Sequence, residues 1–418
     1  MLTRSLFAVV CLLPLYAHAA NRAINEWTAM GDSYASGVGA GEQPADDTNR
    51  CFRFPNAYPA VMQSGPGSLQ PNPLKWNNVA CSGNTASQIL DKEFLDQPED
   101  DGKNGVRPVW GDKPEFVTIT MGGNDVGILN LITTCILSFK LWGLNCDQVI
   151  QEGMKIAQSD ELKANFTAVI EKAYTKGRST PVGVQFQVFV TGYAQFFNQI
   201  STQCNDVTFK PSWNPLPAQY LTIERRTAMN TLALTLNAAI KSAVESFDPL
   251  YNVHYVDYDT QFAGHRFCDV DEPDPNNPST WFFNWYTSED PTTEAAFKSL
   301  PAYQSSVANK TTGLFQTDDD FINALGDALG DDADGLSLLS DSVRIFHPTS
   351  LGHQTIRNVM EAALKAAGVP EPEAVSSTST PAPSKTATSA SASATCNCNE
   401  DGCSADSPAC CANGTCPT

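Results

Sequence analysis

Three turns and one loop carry residues that could cooperate in acyl transfer. The first is Gly31-Asp32-Ser33-Tyr34-Ala35-Ser36-Gly37, which follows the apolar run Glu26–Met30 directly. Glycines at 31 and 37 permit a tight turn that exposes the Ser33 hydroxyl. Alone this is weak, because Gly/Asp/Ser turns follow many strands. Two more turns strengthen it: Cys81-Ser82-Gly83-Asn84 after Trp76–Ala80, and Gly122-Gly123-Asn124-Asp125 after Phe116–Met121. A serine attacking an ester generates an oxyanion that needs two or three preorganised donors. The backbone N–H groups of Ser33 and Gly83 and the side-chain amide of Asn124 would supply them. Near the chain end comes Phe346-His347-Pro348-Thr349-Ser350-Leu351-Gly352-His353. A histidine in the loop before a final helix can reach back to Ser33 as general base.

These residues need a scaffold, and the hydrophobic pattern supplies one. Five short apolar runs read as strands: Glu26–Met30, Trp76–Ala80, Phe116–Met121, Val184–Thr191 and Val253–Tyr258. Helical stretches separate them. In Leu221–Ser246, Met229, Leu232, Leu236, Ile240 and Val244 recur at spacings of three and four, and Leu351–Ala367 follows the same rule. Strands alternating with helices imply a parallel sheet covered on both faces. In such a sheet ligands bind outside the carboxyl ends of the strands, where all three turns fall. Asp269–Ser340 fits poorly and reads as an insertion. Its aromatic run WFFNWY at 281–286 suits core and substrate wall equally. Asp331, Asp332 and Asp334 lack EF-hand spacing and read as solvated charge rather than a calcium site. His353, two residues into the last helix, reads as a packing or capping residue. Asp32 reads as holding the turn.

Composition bounds the partners. The 418-residue chain has 26 Lys+Arg against 46 Asp+Glu, a net charge of −20. That balance repels phosphate backbones and anionic lipid surfaces, so nucleic-acid binding is not expected. Residues 1–19 have a signal-peptide plan: Arg4, the apolar stretch Leu6–Leu15, then Ala17-His18-Ala19. No later run is long enough to span a bilayer, so a secreted, extracellular protein is expected. Of 13 cysteines, Cys11 would leave with the signal, and the even remainder suits an oxidising compartment. Cys51, Cys81, Cys135, Cys146, Cys204 and Cys268 lie in the body, where 15 pairings are open and sequence neighbours are the simplest guess. A body metal site is not expected, because no CxxC with partner spacing occurs there. Asn165, Asn309 and Asn413 stand in glycosylation triplets. The body runs over 20–368 with the 269–340 insertion. Residues 369–395 form a Ser/Thr/Pro-rich linker. Residues 396–418 form a six-cysteine module too small to hold without disulfides, which suggests contact with a cell wall or polysaccharide.

In that order, GDSYASG, the glycine of CSGN, GGND and HPTSLGH resemble the four sequence blocks of the SGNH (GDSL-type) hydrolase family. The cysteine plan and the G-D-S-Y-x-S-G-x-G-A start are similar to its secreted lipase and esterase branch from actinomycetes. The likeness spans roughly residues 26–365, with 269–340 aligning poorly. It implies a three-layer α/β/α sandwich with a five-stranded parallel sheet, no metal or cofactor, and hydrolysis of small-molecule or lipid carboxylic esters. It further implies the bridges Cys51–Cys81, Cys135–Cys146 and Cys204–Cys268. Carried over, Ser33 is the nucleophile, Gly83 and Asn124 complete the oxyanion hole, and His347 is the base. One departure stands out. The family pattern D-x-x-H puts an aspartate three residues before the histidine, and here that residue is Arg344. The resemblance then implies the Arg344 backbone carbonyl as the group orienting His347, with Asp341 as the alternative. Polysaccharide deacetylation and an inactive scaffold serving glycan binding are the competing functions.

Overall fold

Five short runs pair side by side into one parallel sheet. They are β1 (Glu26–Gly31), β2 (Lys75–Asn78), β3 (Phe116–Thr120), β4 (Gln187–Thr191) and β5 (Val253–Val256). Their order is β2-β1-β3-β4-β5, and every pairing is parallel. The computed structural model describes residues 26–42, 51–64, 75–100, 106–138, 145–210, 217–269, 279–284 and 344–369. Every residue of β1 and β3 is buried. Their polar residues Glu26, Thr28, Thr118 and Thr120 are buried with the rest, because a central strand of a covered parallel sheet has no solvent face.

Topology places the site. From β1 the chain steps outward to β2, then crosses back over β1 to β3. The direction of winding therefore reverses between β1 and β3, and a crevice opens at their carboxyl ends. The helices pack on one another in two sets. Helices α1 (Ser33–Ser36) and α2 (Tyr58–Ser64) precede β2. The final helix, α8 (Ser350–Ala366), packs on α2. Helix α6 (Asp160–Arg178) packs on α3 (Ala86–Lys92). Helix α7 (Ile223–Val244) packs on α6 and on α5 (Cys146–Ala157). Helix α4 (Ile128–Leu131) runs on into a π-turn over Ile132–Ile136.

Most departures from expectation are local. Strand β4 begins at Gln187, because Gly183 at φ +60° starts a 3-10 turn that takes Val184 and Gln185. A two-residue hairpin, Glu99–Asp100 against Val106–Arg107, is additional; strands that short carry no periodicity to read. The structure forms Cys51–Cys81, Cys135–Cys146 and Cys204–Cys268. Most of the 269–340 segment lies outside the described residues. Phe282 and Phe283 are buried, and Phe282 pairs with Pro348. Residues 1–25 and 370–418, with the expected signal peptide, nearly all of the linker and the cysteine-rich module, lie outside the described residues, as do Asp331, Asp332, Asp334 and Asp341. No described helix is long and apolar enough to cross a membrane.

Candidate active site

Ser33 is the first residue of α1, two positions beyond the end of β1 and directly after its N-cap Asp32. Gly31 makes that position possible. Its φ is +127°, and a Cβ there would sit 2.1 Å from the Thr120 carbonyl oxygen, so a side chain would wedge β1 from β3 at the crevice. Asp32 accepts the Tyr34 N–H at 3.0 Å, and Gly37 closes the single helical turn in the left-handed region.

His347 reaches this turn from the opposite end of the sequence, with Nε2 at 2.6 Å from Ser33 Oγ. Three supports fix its loop. The Tyr34 hydroxyl donates to the Phe346 carbonyl at 2.7 Å. The Phe283 N–H donates to the His347 carbonyl, and the Phe346 N–H to the Phe283 carbonyl. Thr349 caps α8 by accepting the Gly352 N–H. Phe346 itself has φ +67°, which costs a bulky residue about 1–3 kcal/mol. Its ring is held in an aromatic cluster with Phe196, Phe197 and Phe267. The Arg344 carbonyl accepts the His347 main-chain N–H at 2.8 Å.

Asn124 stands one strand over, past β3. Its amide donates to the Asn84 carbonyl at 2.9 Å, which ties it to the Gly83–Asn84 turn and leaves its second N–H available. Asp125 accepts the Ala86 N–H at 3.0 Å and anchors the same turn to the start of α3. Ser33, Asn124 and His347 line a single pocket. Gly83 is not among its lining residues, though its neighbour Asn84 contacts Asn124. Away from the polar end the cavity walls are apolar: Ile128, Leu131 and Ile132 on one side, Met229, Leu232 and Leu236 of α7 on the other.

The sequence profile described as the GDSL-like lipase/acylhydrolase family matches residues 29–286. The chain belongs to this family. A lipase of Streptomyces rimosus is 28% identical over 244 residues, 58% of this chain and 73% of that protein. Lipase 1 of Streptomyces coelicolor is 25% identical over 248 residues, 59% of this chain and 74% of that protein. The crystal structure of phospholipase A1 from Streptomyces albidoflavus NA297 superposes with a TM-score of 0.49 at 22% identity, covering 81% of this chain and 99% of that one. Family membership makes the chain a carboxylic ester hydrolase of the lipase/esterase kind.

Buried acids surround the Gly31–Gly37 turn. Burial pushes the Asp32 carboxyl up to about 7, against the Tyr193 and Tyr34 hydrogen bonds that pull it down. Glu93, at the end of α3, rises to about 8 for the same reason. It accepts the Gly31 N–H at 2.8 Å and the Asn84 amide at 2.5 Å. Asp125 rises to about 6, again through burial. His353 is buried inside α8, accepts the Tyr58 N–H at 3.2 Å and is held at about 3 by desolvation, so it stays neutral and packs. Among the described residues no group of three His, Cys, Asp or Glu could hold a metal ion.

Sequence reasoning missed Glu93 and Tyr193. An acid at a helix end ordinarily reads as solvated, so Glu93 carried no signal. Tyr193 did carry one: it lies two residues past β4, at the carboxyl end of a strand. The aromatic run is core where it is described, since Phe282 and Phe283 pack inward and brace the His347 loop.

Proposed function

We propose that this GDSL-family protein is a secreted lipase or esterase that cleaves esters of apolar acyl chains through an acyl-enzyme on Ser33. The 2.6 Å contact between Ser33 Oγ and His347 Nε2, at the polar end of an otherwise apolar cavity, carries the reading. His347 takes the hydroxyl proton as Ser33 Oγ attacks the acyl carbon. The Ser33 N–H, the Gly83 N–H and the Asn124 amide hold the oxyanion. As it collapses, the C–O bond to the alcohol breaks and His347 returns the proton to the leaving oxygen. A water, deprotonated by the same histidine, then releases the acid and regenerates Ser33. The Arg344 carbonyl, or Asp341, keeps the imidazole in the working tautomer. The whole is proposed to sit on a three-layer α/β/α domain over 20–368, behind a signal peptide and ahead of a linker and a cysteine-rich module that contacts a wall or polysaccharide.

A pocket lined by aliphatic side chains favours chains longer than acetyl, because each buried methylene contributes about 0.8 kcal/mol. A series of p-nitrophenyl acyl esters tests this. Turnover should rise from acetate toward longer chains, and Ser33→Ala should abolish it with the fold intact. Acetate-only turnover would move the function to polysaccharide O-acetyl esters. No turnover at any length would leave an inactive scaffold.

A further inference from the structure

The sheet fixes the spacing of the two turns only as far as its last bonds. Gly31 pairs with Thr120, and the Asp32 N–H donates to the Thr120 carbonyl at 3.0 Å. Beyond that point Ser33 and Asn124 ride on separate turns, the second entered through Gly122 at φ +114°. The Tyr193 hydroxyl lies between them. It accepts the Gly123 N–H at 3.0 Å and donates to Asp32 Oδ2. The direction of the first bond is set by chemistry, because a backbone N–H can only donate, and the phenol's own proton goes to the Asp32 oxygen. Both capacities of the phenol are thus used, and each bond ends one residue from a reacting group, Asp32 before Ser33 and Gly123 before Asn124. The ring is buried and meets Tyr34 edge-on, with centroids 5.0 Å apart, so the hydroxyl has little room to move.

We propose that Tyr193 is a positioning residue. Its phenol ties Asp32 to Gly123 and sets the distance between the nucleophile and the oxyanion donor Asn124. The inference rests on the reading of Asn124 as that donor. It follows that losing the hydroxyl weakens catalysis through Asn124 and leaves substrate binding in the apolar cavity intact.

Tyr193→Phe keeps the ring and removes the tie. A displacement of the order of 1 Å at a reacting group can cost about 10²-fold, so kcat should fall roughly 10- to 100-fold while KM stays within about twofold. Asn124→Ala should itself cost about 10²–10³-fold in kcat. If Tyr193 acts through Asn124, the double variant should be no more than about threefold slower than Asn124→Ala alone. Losses that multiply, or a Tyr193→Phe enzyme with the parent's kcat, would overturn the proposal. An Asn124→Ala enzyme with undiminished kcat would overturn it together with the oxyanion reading, a pattern distinct from multiplying losses. Should Tyr193→Phe fold poorly, Asp32→Ala removes the acceptor at the other end of the tie. It must give at least the same loss in kcat at constant KM, and a change in KM alone counts against the tie.

Discussion

His347 can act as a base toward Ser33 only while its other ring nitrogen carries the proton, and something must hold that tautomer. The Arg344 carbonyl lies one turn back and already accepts the His347 main-chain N–H; a carbonyl oxygen has a second lone pair to offer. A carboxylate in that role would stabilise the imidazolium as well as orient it, which matters by a factor of about 10⁴ in kcat. Asp341→Asn therefore separates the two. With the carbonyl as partner, kcat should fall about a hundredfold or less, whereas a loss near ~10⁴ assigns the role to Asp341. The strained Phe346 is consistent with a loop whose geometry is set by its anchors, since Tyr34, Phe283 and the aromatic cluster all hold it in place.

Among the elements, the turn after β2 is held by a covalent tie. The Cys51–Cys81 bridge closes a separation of 30 residues, and the Ser82 N–H donates to the Cys51 carbonyl at 3.1 Å. The same turn supplies the Asn84 carbonyl that holds Asn124, and Glu93 holds Asn84 in turn. In the chain-entropy picture a loop of this length stabilises by roughly 3–4 kcal/mol. Replacing both cysteines by serine should lower the melting temperature and kcat together, because the oxyanion side loses its anchor along with the fold. Peptide mapping should recover Cys51 joined to Cys81. A stable double variant with unchanged kcat would show that the turn holds its shape without the bridge.

Over the molecule as a whole, the buried acids make stability depend on pH in an unusual direction. The native carboxyls of Asp125, Asp32 and Glu93 titrate near 6, 7 and 8, against 3.8, 3.8 and 4.5 ordinarily. Between those limits the folded chain holds protons that the unfolded chain has released, so stability falls as pH rises. His353 works the other way. Its pKa drops from 6.5 to about 3, so below 6.5 the unfolded chain takes up a proton that the native state refuses. Above 6.5 the histidine no longer contributes and the carboxyls remain. Melting temperature should therefore decline from pH 6.5 to 8, and Glu93→Gln should flatten that decline. A melting temperature that rises across the same interval would refute the assignment of Glu93 as a buried acid.

What the sequence determined by itself was local. Glycine-bounded turns directly after apolar runs marked Ser33, Gly83 and Asn124, because strand and turn preferences act over a few residues. The 3.6-residue period found α7 to within two residues at each end, and the loop ahead of α8 singled out His347. Tertiary structure decided the rest. The strand order puts Ser33 and Asn124 on either side of the winding reversal, and no local pattern encodes which strands become neighbours. The bond from Tyr34 to Phe346 spans 312 residues, the Tyr193 hydroxyl meets Asp32 across 161, and Glu93 reaches Gly31 across 62. A tyrosine or glutamate has the same local preferences whether it ends in solvent or in a core. Only the packing of α3, β4 and the His347 loop around the crevice removes water from these groups, and that desolvation turns ordinary side chains into the supports of the site.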